Sequence, residues 1–228
     1  MALTDNPIPE ADPSDAELAR QESWVVDAVE VLYGDRTDVA ERFVHHLVTT
    51  GIEWGLLGPR EIPKMWDRHV LNCAVVQELL PKGALVADVG SGAGLPGIAL
   101  AIARPDVQFV LIEPLERRVD WLEMVIADLE LENVDVVRAR SEQVFETVDV
   151  DIVTARAVSA MKSLVPMTVP LLHGTGELLA IKGKSAANEI EKADKVLRTF
   201  KTKNSEVLTV GDELLAVATT VVRLTYGS

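Results

Sequence analysis

The stretch Ala84–Gly97, "ALVADVGSGAGLPG", opens with a continuous apolar run and ends with four glycines in its last eight residues. An uninterrupted apolar run closed by glycine is the pattern of a parallel strand buried on both faces. The glycines that follow let a guest or a helix approach the backbone closely. Gly92, Gly94 and Gly97 match G-x-G-x-x-G, whose usual guest is an anionic pyrophosphate at a helix N-terminus. Asp88 and Pro96 argue for another guest, because one adds negative charge and the other removes an N–H donor.

Downstream, strand and helix patterns alternate. Strands are predicted at 84–90, 107–114, 134–140, 150–157 and 176–183, with a terminal alternating strand at 214–226. Helices are predicted between them, over 95–105, 115–131, 163–173 and 186–200. Such βα repetition predicts an open, mostly parallel Rossmann-like sheet with helices on both faces. Upstream, no strand pattern appears before residue 83. Helical spacing runs from Asp15 to Leu32, again from an N-cap candidate at Asp38, and through "REIPKMWDRHVLNCAVVQELLP" (60–81). The expected organisation is a disordered acidic leader at 1–15, an N-terminal helical extension at 16–82 and the α/β domain at 83–228, the last two forming one globular unit.

Composition sets limits. The chain has 228 residues, 48% of them apolar, which is ample for a buried core and argues against general disorder. No apolar run reaches the ~20 residues of a membrane span, and the acidic, proline-bearing N-terminus is unlike a signal peptide. The single cysteine, Cys73, excludes an internal disulfide and a thiolate metal cage. A cytoplasmic protein is expected. The net charge of −14 disfavours nonspecific attraction to nucleic acid. Residues 1–60, however, hold twelve acids against four arginines, so the remainder is much nearer balance. Any nucleic-acid surface must be local.

In open α/β sheets the ligand lies beyond the carboxyl ends of the strands. Glu113 ends the second strand, nineteen residues past Gly94, where a nucleotide's ribose would meet a carboxylate. S-adenosylmethionine suits the loop better than a dinucleotide. Its ribose suits Glu113, its methionine portion can pass the glycines, and its ammonium and sulfonium tolerate Asp88. A nicotinamide enzyme, a small-molecule methyltransferase and a non-catalytic nucleotide-binding protein stay open at this point. So does a purely structural reading, in which Asp88 caps the turn and the glycines permit close helix packing.

More of the chain narrows this. "DVGSGAGLPGIALAI", "LENV" with "VRARSEQV", "DIVTARAVSAMKSL" and "LLAIKGKSAANEI" together resemble the RsmG (GidB) family, and "MWDRHVLNC" resembles its motif in the helix entering the domain. The resemblance covers about residues 60–190. It implies an S-adenosylmethionine-dependent methyltransferase acting on N7 of a guanine in 16S ribosomal RNA of the small subunit or an assembly intermediate. It also implies that Gly90, Leu95, Ser141, Glu142 and Arg156 line the cofactor site, beside Asp88, Gly92, Gly94 and Glu113. The family's usual aspartate at the end of strand two is Glu113 here, and the acidic leader is extra.

Guanine N7 attacks without losing a proton, so methyl transfer there needs positioning and no general base. Arg156 and Lys182, at the ends of strands four and five, are the expected catalytic residues. Arg68, His69, Arg138, Arg140, Lys182 and Lys184 are the expected RNA contacts. His45, His46, His69 and His173 share no metal-ligand spacing, and no metal is expected. Arg117 and Arg118 are read as solvated surface. A monomer is expected.

Overall fold

A computed structural model describes residues 23–227. The acidic leader and the first part of the helix expected from Asp15 lie outside the described residues. Seven strands form one sheet: β1 (Leu85–Val89), β2 (Gln108–Ile112), β3 (Val134–Val137), β4 (Ile152–Arg156), β5 (Gly176–Lys182), β6 (Asn204–Val210) and β7 (Thr219–Tyr226). Their order is β3-β2-β1-β4-β5-β7-β6. The first five are parallel, and β7 pairs antiparallel with both β5 and β6. The strand order reverses between β1 and β4, and the site lies beyond their carboxyl ends.

Six main helices flank the sheet: α1 (Ser23–Tyr33), α2 (Thr37–Val48), α3 (Gly97–Ala103), α4 (Glu116–Asp128), α5 (Met161–Thr168) and α6 (Ala186–Thr199). The pleat sends alternate side chains of each strand to opposite faces. Val86, Phe109, Leu111, Ile152 and Leu179 join α1–α4 in one core. Ala87, Ile112, Val153, Leu178 and Leu224 join α5 and α6 in the other. The N-terminal helices therefore share their core with one sheet face. Ile98, Leu100 and Ile102 of α3 are fully buried, as expected of a helix apolar on every side. Each such side chain stabilises the fold by about 1.5–3 kcal/mol.

Polar contacts fix the docking of that layer. The Trp121 indole N–H of α4 donates to Thr50 Oγ1 at 3.0 Å, and Asp128 stands 2.9 Å from His46 Nε2 and 3.1 Å from Arg42.

The elements differ from expectation in five places. Residues 60–81 do not form one helix. Pro59–Lys64 is 3₁₀, Met65–Leu71 is a π-helix, Asn72–Ala74 is a single α turn and Val75–Leu79 is 3₁₀ again. Pro63 lacks an N–H and crowds the preceding turn, which breaks α geometry there. Asp38 lies inside the first turn of α2, not at its N-cap, where its charge still complements the helix dipole. The terminal strand starts at Thr219 rather than 214, and β3 ends at Val137 rather than 140. The edge strand β6 was not expected at all.

Candidate functional site

The loop after β1 is held from beneath. Asp88 is fully buried. Its Oδ2 accepts from the Gly97 N–H at 3.1 Å and its Oδ1 from Thr154 Oγ1 at 3.1 Å. Burial raises its carboxyl to about 6, against the pull of hydrogen bonds from Ser91, Gly97 and Thr154 and the charge of Arg156. Asp88 therefore ties the start of α3 to β1 and β4. The expectation that it meets the cofactor is corrected: its oxygens face the protein.

Three of the loop's backbone donors are likewise engaged. Gly92 N–H donates to Glu113 Oε2 at 3.1 Å, Gly94 N–H to the Ser91 carbonyl at 2.8 Å and Leu95 N–H to the same carbonyl at 3.2 Å. Pro96, which caps α3, has none. A pyrophosphate would need these groups free, which counts against the dinucleotide reading. The glycines divide into two kinds. A Cβ on Gly94 would stand 2.6 Å from Ile98 Cδ1, and one on Gly97 would collide with Leu111 Cδ2. Both are required for helix packing. A Cβ on Gly92 would meet only the Gly90 carbonyl, at 3.8 Å, so the space above it is open. Leu95 buries its side chain in the first core, which leaves only its backbone at the loop.

Two cavities meet at the carboxyl edge. The first, of about 400 Å³, is lined by Gly90, Glu113, Leu115, Ser141, Glu142 and Arg156, with Arg118 and Arg140 at its sides. Its volume is that of a small-ligand site. Glu113 is buried at its floor, and its Oε1 accepts from the Leu115 N–H at 3.1 Å. Arg118 stands 3.6 Å from the same carboxylate, so the reading of Arg118 as mere solvated surface is corrected.

The second cavity, of about 870 Å³, is lined by the cations Lys64, Arg68, Lys182 and Lys184, by the acids Asp67 and Glu189, and by the apolar Trp24, Leu215 and Val217. Arg156, Ala157 and Val158 line both cavities and form the wall between them. Ala157 has φ +57°, a left-handed conformation for a side-chain-bearing residue, so the chain turns sharply at that wall. Of the three cavities described, the groove between α4 and β3 is lined by four acids (Glu123, Glu130, Glu132 and Asp135) among apolar residues and by no lysine or arginine, a charge that is wrong for RNA.

The structure thus gathers Arg68, Arg156, Lys182 and Lys184 as the sequence suggested, and corrects the others. Arg138 is half exposed, lines neither cavity and pairs with Glu116 at 2.5 Å. Arg140 belongs to the first cavity, not the second. His69 faces inward, between Glu61 at 2.8 Å and Arg156 at 3.2 Å, so it presents no free nitrogen to RNA. Lys182 is 10% exposed and donates to the Ser159 carbonyl at 2.5 Å and to Glu189 at 3.0 Å. Burial pushes the Glu189 carboxyl up, but Lys182 and the Met161 N–H outweigh it and leave it below its ordinary value. Glu189 Oε2 also accepts from Met161 N–H at 3.1 Å, so this pair clamps the loop that follows Arg156. Lys182 holds the wall more than it reaches through it.

Sequence reasoning missed Trp24, Lys64 and Val217. Lys64 and Arg68 are four residues apart, a spacing that could have flagged them. Trp24 and Val217 come from opposite ends of the chain and carry no local signal. Cys73 is buried, its thiol pushed to about 11 by burial. Among the described residues no group of three His, Cys, Asp or Glu side chains could hold a metal ion, and no helix is long and apolar enough to cross a membrane.

Comparison with known proteins agrees with this geometry. The family described as rRNA small subunit methyltransferase G (GidB) matches residues 36–217. The ribosomal RNA small subunit methyltransferase G of Pseudarthrobacter chlorophenolicus is 60% identical over 197 residues, covering 86% of this chain and 91% of its own. That of Renibacterium salmoninarum is 56% identical over 205 residues, covering 90% and 95%. Among solved structures, a SAM-dependent methyltransferase from Aquifex aeolicus superposes with TM-score 0.51 at 20% identity, over 75% of this chain and all of its own (100%). M. jannaschii TYW2 in complex with AdoMet gives 0.54 at 19% identity, over 71% and 77%. These two show the shared fold.

Proposed function

The chain belongs to the rRNA small subunit methyltransferase G (GidB) family, and from that premise we propose that it transfers a methyl group from S-adenosylmethionine to N7 of a guanine in 16S ribosomal RNA of the small subunit. The observation that carries the reading is the pair of cavities sharing one wall at Arg156, one sized for a cofactor and one bordered by cations.

The residues present fit S-adenosylmethionine. Open space above Gly92 admits the methionine portion, and Glu113 has lone pairs left for ribose hydroxyls after accepting from Gly92 and Leu115. Ser141 and Glu142 would read the adenine, and the N–H groups of Arg140 and those of Arg156 not turned to His69 can meet a carboxylate. When bound, the cofactor supplies an electrophilic methyl group on a positively charged sulfur.

The protein's own part is placement. Lys64, Arg68 and Lys184 offer charge to RNA phosphates at the rim, while Trp24, Leu215 and Val217 offer the base an apolar surface. Arg156 and the loop behind it, clamped by Lys182 and Glu189, fix the wall across which base and methyl group must align. Such alignment supplies about 7–11 kcal/mol in favourable cases. N7 carries no proton, so no side chain has to act as base, in keeping with a His69 already committed on both nitrogens.

Calorimetry tests the cofactor assignment. S-adenosylmethionine should bind and NAD should not. Glu113→Gln should weaken S-adenosylmethionine about tenfold or more, since a charge-assisted hydrogen bond is worth ~1.5–3 kcal/mol. Binding of NAD, or an unchanged constant in the variant, would contradict it.

A further inference from the structure

Glu61, His69 and Arg156 form a chain of hydrogen bonds from the helical region to the wall between the cavities. Glu61 Oε2 lies 2.8 Å from His69 Nε2, and Arg156 Nη1 lies 3.2 Å from His69 Nδ1. A guanidinium only donates, so Nδ1 must be bare, and an ionised carboxylate only accepts, so Nε2 must carry the proton. The two neighbours thus impose one tautomer of the neutral imidazole.

We propose that His69 is a positioning residue for Arg156: Glu61 fixes the Nε2–H tautomer, and the bare Nδ1 holds the guanidinium in the shared wall of the two cavities. The inference rests on the reading of those cavities given above. A guanidinium on a flexible stem would otherwise sample many positions, including those that block the passage of the methyl group. The imidazole is 12% exposed, so water competes little for Nδ1.

The charged groups that bear on the ring agree with this arrangement. Burial pushes His69 below its ordinary value, Arg156 and Arg68 push the same way, and Glu61 opposes them. Glu61 is itself held below the usual carboxylate range, first by its hydrogen bond to His69, and further by the charges of His69, Lys64 and Arg68. Around neutral pH the ring is therefore neutral and the carboxylate ionised. Protonating His69 would remove the acceptor and set two cations against each other, releasing Arg156. Methyl transfer should then fall on the acid side as pH passes the lowered value of His69.

Two measurements on the full chain decide this. In nitrogen-edited NMR of the cofactor-free protein at neutral pH, with His69 assigned by its loss in His69→Gln, the ring should be the neutral Nε2–H tautomer. Arg156→Met should move the Nδ1 signal and raise the titration midpoint, because a neighbouring positive charge is gone. An Nδ1–H or charged ring, or a midpoint indifferent to Arg156→Met, overturns the proposal. In methyl-transfer assays, His69→Ala should lower kcat by roughly tenfold with a smaller change in KM for the subunit. An unchanged kcat overturns it too. A wild-type protein that transfers no methyl group at all would refute the proposed function, while the NMR result would still decide the tautomer and its link to Arg156.

Discussion

Gly92 and Gly94 stand two residues apart in one loop, both at positive φ (+56° and +74°), yet they face different neighbours. Alanine at Gly94 would drive a methyl group into Ile98 and strain the backbone, so Gly94→Ala should lose about 1–3 kcal/mol of stability in denaturant unfolding. Alanine at Gly92 meets no such clash, so its stability cost should be only the ~1–2 kcal/mol of the left-handed conformation. Its main effect should be weaker S-adenosylmethionine binding, which calorimetry reads directly. Equal effects of the two on binding would contradict the division. Asp88 belongs to the same scale. Its carboxyl is raised in the folded state to about 6 against an ordinary value of 3.8, so it binds protons more readily folded than unfolded. Such a group favours folding at low pH, and that contribution is lost as pH rises through about 6. Asp88→Asn, which can accept from Gly97 and donate to Thr154, lacks this dependence. Its stability relative to wild type should improve between pH 5 and 8 by roughly 1–2 kcal/mol, measured as the difference in thermal unfolding. A constant difference would show that Asp88 is charged throughout. Residue types and spacing made the loop legible, but not the direction in which Asp88 points. That depends on Thr154, which lies sixty-six residues away in sequence.

Strands buried on both faces announce themselves by apolar runs, so β1, β2, β4 and β5 were legible within a few residues. β6 was not, because an edge strand that opens on three polar residues, Asn204 to Glu206, and shows no regular alternation looks like a loop until β7 pairs with it. The stretch from Pro59 to Leu79 shows the opposite failure. Its apolar spacing looks helical, yet Pro63 and the π-helix at Met65–Leu71 break the α register, and His69 of that π-helix meets Arg156. The loop Ala157–Ala160 depends on the Lys182–Glu189 pair that spans β5 and α6. Lys182→Ala leaves Glu189 short of its cation and frees the Ser159 carbonyl. It should lower stability by about 1–3 kcal/mol and methyl transfer with it. Full activity with unchanged unfolding would show that the clamp is idle.

At the scale of the molecule, a net charge of −14 coexists with a cationic rim made of Lys64, Arg68 and Lys184. RNA affinity should therefore fall with salt at a shallow slope, reflecting about three to five phosphates rather than the ten of a strongly basic binder. A steep slope would place the RNA elsewhere. The charge count foretold that the basic surface must be local, but only folding brings Trp24, Lys64, Lys184 and Val217 to one cavity. The most direct measurement of the whole account is mass spectrometry of 16S ribosomal RNA after purified small subunits that lack the modification are incubated with this protein and S-adenosylmethionine. The account predicts a single new 7-methylguanosine, formed by the wild type and strongly reduced by Glu113→Gln at limiting cofactor. A methyl group on another atom or molecule, or none while the cofactor still binds, would contradict it.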